Sequence, residues 1–175
     1  MILPDFEIER LCKERSMITP YSPEQLNPAS YDVRLGDEIM IESVANDQFV
    51  RAPLHGYTKD NPWLLGPGQF CLGCVQEVLN MPSDVVGQFA LKSSRGREGY
   101  SHALSGFIDC GFNNSRLTLE LHNLRQVWPI PLYPGLLIGQ IIFSRMDSEP
   151  NKSYAVTGHY NSHLTVMPSV WQTAA

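Results

Sequence analysis

Short strand-like segments separated by turns are the feature that most constrains the fold of this 175-residue chain. Turn signals recur about every 10–14 residues, whereas helical spacing of apolar residues is confined to residues 3–16. The strand-like segments are residues 31–35, 38–44, 70–79, 85–91, 116–123, 128–132 and 136–144. This pattern predicts an all-β sandwich or barrel with one short N-terminal helix, and it disfavours a dinucleotide-binding βαβ fold. Residues 17–25 and 45–64 are expected to be irregular.

Length and charge restrict the class of protein further. A chain of 175 residues is expected to form one domain, residues 1–175, with a sizeable core. Its net charge of −5 argues against a general binder of nucleic acid or anionic membranes. The sequence has no apolar run near the ~18–20 residues of a membrane span, and residues 1–7 do not resemble a signal peptide. We therefore expect a cytoplasmic protein whose partners are neither nucleic acid nor membrane.

Two of the four cysteines, Cys71 and Cys74, form a C-x-x-C pair inside the segment 70–79. A redox or zinc site of this type needs a helix N-terminus or a second pair of ligands, and the sequence offers neither. At the two-residue period of a strand, the two side chains face opposite sides. We therefore expect both to be buried free thiols.

Asp32 and Arg34 alternate with apolar neighbours over residues 31–35, so the two charged side chains share one face of the predicted strand. Two interpretations stay open for this pair. It is either solvated at a strand edge, or it supports a site or a contact between subunits.

The densest cluster of cationic, hydroxyl and glycine residues lies between Lys92 and Gly99. Lys92 and Arg97 supply charge, and Ser93 and Ser94 supply hydroxyl donors, so the loop suits a polyphosphate. It is not a P-loop, because the pattern G-x-x-x-x-G-K-[ST] is absent from the sequence. A basic surface loop without a ligand is the alternative, and the loop taken alone favours that alternative.

Glu120 lies in a segment whose leucines, at 117, 119 and 121, face the opposite side of the predicted strand. A covered carboxylate is costly unless it is paired, protonated or catalytic. Such a glutamate can carry protons between a water and a leaving group, and a solvent-facing strand residue is the equal alternative. Asp109 ends an apolar run, where it either caps a turn or accepts from a sugar hydroxyl. Zinc-dependent deamination is disfavoured, because the H-x-E and P-C-x-x-C motifs are missing.

Six motifs, in order along the chain, resemble those of the dCTP deaminase family, which is part of the trimeric dUTPase superfamily. Pro28–Gly36 resembles the first motif, and Lys92–Arg97 resembles the loop Arg-Ser-Ser-Leu-Ala/Gly-Arg. Ser105–Phe112 is similar to Ala-Gly-Phe/Trp-Ile-Asp-Pro/Ala-Gly-Phe, and Thr118–Asn123 to Thr-Leu-Glu-Leu-x-Asn. The signatures Leu-Tyr-Pro-Gly and Ile-Gly-Gln stand at 132–135 and 138–140.

The resemblance implies a distorted jelly-roll, or β-clip, fold and a homotrimer with active sites between subunits. It implies zinc-free hydrolysis of dCTP to dUTP and ammonia, with Mg²⁺ bound through the triphosphate and no metal ligand from protein side chains. Glu120 would carry the proton, and Ser93 and Arg97 would position Glu120 and the water. Asp109 would meet the 3′-hydroxyl of the deoxyribose. The implied substrate-binding residues are Lys92, Ser94, Arg95, Ser105, Asp109, Thr118, Leu119, Gln140, Tyr154 and His159.

The resemblance also implies that the tail, residues 147–175, closes over the nucleotide. The chain departs from the family pattern at Lys92 in place of Arg, at Arg95 in place of Leu, and at His159 in place of a tail Lys. The Gly106-Phe107 pair resembles members that also hydrolyse dUTP. Three hypotheses stay open: a dCTP deaminase releasing dUTP, a dUTPase-type or bifunctional enzyme releasing dUMP and diphosphate, and a nucleotide-binding homologue without turnover.

Overall fold

The computed structural model describes residues 1–45 and 48–170. The described residues form three α-helices and twelve β-strands. The helices are α1 (Asp5–Arg15), α2 (Ser93–Arg97) and α3 (Tyr154–Thr157), and a 3₁₀ turn spans Pro23–Gln25. The strands are β1 (Ile18–Thr19), β2 (Leu26–Asn27), β3 (Ser30–Glu42), β4 (Phe49–Pro53), β5 (Trp63–Leu65), β6 (Phe70–Leu79), β7 (Val85–Leu91), β8 (Tyr100–His102), β9 (Phe107–Ile108), β10 (Ser115–Asn123), β11 (Ile130–Leu132) and β12 (Leu137–Arg145).

Ten of these strands join in one curled antiparallel sheet. Its order is β8-β10-β6-β3-β12-β7-β9, with β1 beside β6 and with β2 and β4 beside β3, while β5 and β11 form a separate pair. The 13-residue strand β3 joins the two halves of the sheet. Its first half pairs with β12 at Val33 and Gly139, and its second half pairs with β6 at Met40 and Leu72. The twist of the strands wraps both halves around one core. The prediction of an all-β fold with one short N-terminal helix is therefore confirmed.

The core consists of inward side chains of the curled sheet, closed at one end by α1. Tyr31, Phe89 and Phe143 are its largest fully buried aromatic side chains. Ile8 and Leu11 lie three residues apart on one face of α1 and are also buried. Burial of each such side chain contributes about 1.5–3 kcal/mol, so the helix is held by its packing on the sheet.

The predicted strands over 70–79 and 85–91 are confirmed as β6 and β7. The expectation of irregular structure over residues 45–64 was wrong in part, since β4 and β5 lie there, and a short β1 lies within residues 17–25. β4 is an edge strand beside β3, and Val50 and Arg51 are exposed, so its sequence lacks a clear alternation. Pro53 is compatible with an edge, where an N–H is not needed.

The tail from residue 147 is folded onto the sheet as far as residue 170, and residues 171–175 of the predicted tail lie outside the described residues. Ser115 on β10 donates through Oγ to the carbonyl of Tyr160 (3.0 Å). Among the described helices, none combines the length and apolarity needed to cross a bilayer.

Candidate active site

A cavity of about 560 Å³ lies between β10, the segment around β9 and the tail. Its lining includes five residues predicted for the site: Ser105, Asp109, Thr118, Glu120 and Tyr154. Large apolar side chains such as Phe70 and Met167 complete its walls. The structure therefore brings the candidate acid, the candidate sugar contact and the tail into one space.

Glu120 faces this cavity because its neighbours Leu119 and Leu121 are buried on the other side of β10. Its carboxylate Oε2 accepts a hydrogen bond from Ser105 Oγ at 2.5 Å. Within the described part of the chain, Glu120 forms no ion pair. Its charge raises the pKa of nearby His102, but burial has the larger effect and holds that pKa below its usual value. Within one described chain, Glu120 is thus a carboxylate without a cationic partner at the wall of the cavity.

The residues on the far side of the cavity are placed by tight backbone turns. Phe112 N–H donates to the carbonyl of Asp109 (3.2 Å), which leaves the exposed Asp109 side chain at the cavity wall. Gly111 has φ +83°, and a Cβ there would lie 2.3 Å from Ser153 Oγ. Glycine at this position therefore permits both the turn and the close approach of the tail.

The backbone edge of β10 is open beside Glu120. β8 pairs with β10 only from Leu121 to Asn123, and Thr118 and Leu119 pair with β6 on the other edge. An open edge offers N–H and C=O groups to a ligand. The Leu119 side chain is in the core, so Leu119 can reach a ligand only through its backbone. The Thr118 hydroxyl accepts from Met167 N–H (3.3 Å) and retains its own proton as a donor.

Two of the attachments between the tail and the body of the chain lie at the ends of the segment that borders the cavity. At the first, Tyr154 lies against Phe112 with ring centroids 5.8 Å apart, and its N–H donates to the carbonyl of Cys110 (3.2 Å). At the second, Val166 is fully buried, and its N–H donates to Glu38 Oε1 (2.8 Å) while its carbonyl accepts from Arg51 (3.0 Å). Tail residues between and beyond these points cover one side of the cavity.

Val166→Asp is expected to release the second attachment, because a carboxylate would be buried on Met40 and Leu72 without a partner. Chymotrypsin should then cleave at Tyr160 at least about tenfold faster, since local opening exposes the backbone. Val156→Asp, at an 86% exposed position in α3, is the matched control and should leave the cleavage rate unchanged. Equal cleavage of both variants would contradict the role of Val166 as an anchor.

The basic loop lies outside the Glu120 cavity. Its first turn, α2, exposes Ser93, Ser94 and Arg97, and their side chains make no hydrogen bond or ion pair within residues 1–45 and 48–170. The cavity lining includes none of the three. One chain therefore holds the predicted site as two separate groups of residues.

Lys92 and Gln140 form the base of this second group. Lys92 Nζ pairs with Asp32, which is only 6% exposed and also accepts from Asn27 (2.9 Å). Gln140 lies opposite Asp32 on β12 and accepts from Ser30 Oγ (2.8 Å). The interpretation of Asp32 as a solvated residue at a strand edge is wrong, and its carboxylate supports the loop instead.

Arg95 is held by its own loop. Its guanidinium pairs with Glu98 at 2.8 Å and lies 5.6 Å from the ring centroid of Tyr100. This arrangement orders the turn that follows α2. A role of Arg95 in substrate binding stays a prediction.

The structure distinguishes two histidines of the tail and adds residues that the motifs missed. His159 is exposed and lies outside the cavity lining, whereas His163 is part of it. Arg116 also lines the cavity and lies 3.4 Å from Asp37. The sequence signal that could have identified it is its spacing, because a residue two positions before Thr118 lies on the same face of a strand. Phe49 was missed because it belongs to β4, in the segment expected to be irregular.

Cys71 and Cys74 lie in separate apolar clusters on opposite sides of β6, as their spacing predicts, and both are free and buried. Burial raises the pKa of the Cys71 thiol to about 12 and that of Cys74 to about 11. At pH 8 both are therefore thiols, and the thiolate is the nucleophile. A chromogenic disulfide reagent should detect far less than one equivalent in the native protein and all four cysteines after denaturation. Rapid native reaction of Cys71 or Cys74 would contradict this assignment.

A metal site built from protein side chains is not evident in the described residues, where no three His, Cys, Asp or Glu side chains are grouped to hold an ion.

The chain was compared with the sequences of known proteins and protein families. Residues 2–146 match the sequence model of the family described as dCTP deaminase-like. A protein of Clavibacter michiganensis named dCTP deaminase, dUMP-forming, is 38% identical over 172 residues, which cover 93% of this chain and 84% of that protein. A protein of Methanosphaera stadtmanae with the same name is 36% identical over 166 residues, with 87% and 83% covered.

Two solved structures share the fold. The crystal structure of 2′-deoxycytidine 5′-triphosphate deaminase from Agrobacterium tumefaciens matches 81% of this chain with a TM-score of 0.66 and 22% identity, and the match spans 47% of that longer chain. The dUTPase from Streptococcus mutans matches 77% of this chain and 97% of its own with a TM-score of 0.50 and 17% identity. At these identities the likeness concerns the fold alone, and the dUTPase-like β-clip prediction is confirmed.

Proposed function

The chain belongs to the dCTP deaminase-like family, and on this premise we propose that it deaminates dCTP and releases diphosphate to give dUMP. The balanced reaction converts dCTP and two waters to dUMP, diphosphate and ammonia. The observation that carries the proposal is Glu120, a carboxylate without a cationic partner in a largely apolar cavity that also contains Asp109. We prefer dUMP to dUTP as the product because the relatives compared above are named dUMP-forming.

In this proposal, Glu120 accepts a proton from water as the water oxygen attacks C4 of the cytosine. It then donates that proton to the leaving amine, while the proton of the new C4 hydroxyl passes to N3, so the C4–N bond breaks and ammonia and the uracil base are formed. Asp109 accepts from the 3′-hydroxyl, and the open backbone edge at Thr118 and Leu119 meets the base. Tyr154 and the tail exclude bulk water from the cavity.

We infer that a second copy of the chain supplies the basic loop, within a homotrimer. Ser93, Ser94 and Arg97 are exposed and unengaged in the described chain, while the Glu120 cavity has no such loop. Placed against a neighbouring cavity, Ser94, Lys92 and Gln140 would hold the phosphate chain, and Ser93 and Arg97 would orient the water and Glu120. Each half of the site is then completed by the other.

We propose Mg²⁺ as a metal carried by the substrate. Mg²⁺ retains several waters and binds readily to phosphate oxygens, which fits a described chain without a grouped set of acidic ligands. The ion would neutralise charge on the phosphate chain while the exposed loop residues fix its position.

The test is product analysis after incubation with dCTP and Mg²⁺, with dCMP, a 5-substituted dCTP and dUTP in parallel. We expect dUMP, diphosphate and ammonia in equal amounts from dCTP. Accumulation of dUTP with ammonia would instead identify the deaminase that releases dUTP. Nucleotide binding without any product would overturn the enzymatic proposal in favour of a non-catalytic homologue.

A further inference from the structure

We propose that Ser105 is a positioning residue for Glu120, a role that rests on the deamination proposed above. Ser105 donates its hydroxyl proton to Glu120 Oε2 at 2.5 Å. Hydrogen bonds from a hydroxyl to a carboxylate have short distances of about 2.5–2.7 Å and are about twice as strong as those between neutral groups. This bond fixes one carboxylate oxygen and leaves Oε1 without a recorded hydrogen bond in the described part of the chain.

The surroundings of Glu120 offer its carboxylate few other partners. Leu72, opposite Glu120 on β6, is apolar and 7% exposed. Ser105 is the hydrogen-bond partner of the Glu120 side chain in the described part of the molecule, and no ion pair there competes with it. Within one chain, the orientation of the carboxylate therefore depends on one hydroxyl group.

The backbone holds Ser105 in place. Leu104 has φ +62°, an uncommon conformation for a residue with a large side chain, and it is 85% exposed. On the other side, the carbonyl of Gly106 accepts from Phe89 N–H at 2.8 Å. A Cβ at Gly106 would lie 2.8 Å from the Cβ of Phe89, so this loop is seated closely on β7. The backbone next to Ser105 is therefore held against β7 through Gly106.

The segment of the family that Ser105–Phe112 resembles begins with Ala, which has no donor at this position. Ser105 thus provides this chain with a contact that an Ala side chain could not make. We expect the contact to set the orientation of the carboxylate.

The experiment compares Ser105→Ala and Ser105→Thr with the unmodified chain, using initial rates of ammonia release from dCTP. Ser105→Ala should lower kcat about tenfold, as expected for loss of a hydrogen bond to a charged group, with KM changed less than about twofold. Ser105→Thr, which retains the hydroxyl, should restore kcat.

Ser101→Ala removes a hydroxyl from neighbouring β8 and is the matched control, with kinetics and circular dichroism like those of the unmodified chain. An unchanged kcat in Ser105→Ala would overturn the positioning role alone. Equal losses in the Ala and Thr variants would also overturn it, since the hydroxyl would not be the active feature. An unmodified chain that releases no ammonia would overturn the proposed function itself, and the positioning role with it.

Discussion

Glu120→Gln is expected to lower the rate of ammonia release from dCTP by about 10²–10⁴-fold, the range for loss of a general acid–base group. The amide has nearly the same shape as the carboxylate, but it cannot accept the proton of the attacking water. Its oxygen can still accept from Ser105, so the cavity should retain its geometry. The measurement is kcat for ammonia release, with circular dichroism as the check on folding.

Glu42→Gln is a matched control, because Glu42 is an exposed glutamate at the end of β3. It should retain the rate of the unmodified chain. Binding of dCTP by the Glu120→Gln variant should persist, since the residues proposed to hold the sugar and phosphates are unchanged. A well-folded Glu120→Gln variant with normal turnover would contradict the proposed role of Glu120.

Glu77→Ala is expected to reduce the free energy of unfolding by about 3–5 kcal/mol, the cost of removing one partner from a buried ion pair. Glu77 is fully buried and accepts from Arg34 Nε at 2.8 Å and from Arg34 N–H at 3.0 Å. It also accepts from Gln25 Nε2 at 3.0 Å. Alanine would leave these donors without their acceptor.

Denaturant unfolding at a fixed protein concentration measures this change, because association of subunits would make apparent stability depend on concentration. Glu42→Ala, at an exposed position, should alter stability by less than about 0.5 kcal/mol. A Glu77→Ala variant as stable as this control would show that the buried network contributes little. Because Gln25 Nε2 also donates to the carbonyl of Asp32 (2.7 Å), we expect a destabilised network to loosen the support of Lys92.

The sequence was informative where local pattern and tertiary environment agree. Period-two alternation correctly placed Glu120 opposite the buried Leu119 and Leu121, and the Cys71 and Cys74 spacing correctly predicted two thiols on opposite faces. The sequence did not predict β4, because an edge strand has few buried positions and therefore shows little alternation of apolar and polar residues.

Charged pairs were harder to assign from spacing. Asp32 and Arg34 alternate on β3 as predicted, but each forms its ion pair with a residue from another part of the chain. Asp32 pairs with Lys92, 60 residues away in the chain, and Arg34 pairs with Glu77. Lys92 directly follows β7 and Glu77 belongs to β6, and only the folded sheet brings these partners to β3.

The sequence by itself determined the all-β architecture, the identity of the candidate acid and the family resemblance, because these depend on local periodicity and on ordered motifs. The tertiary structure decided which residues share a space. It grouped Glu120, Ser105 and Asp109 in one cavity and placed Ser93 and Arg97 outside it, and it fastened the tail through Val166. Such groupings depend on long-range strand pairing and close packing, which no short segment of sequence specifies.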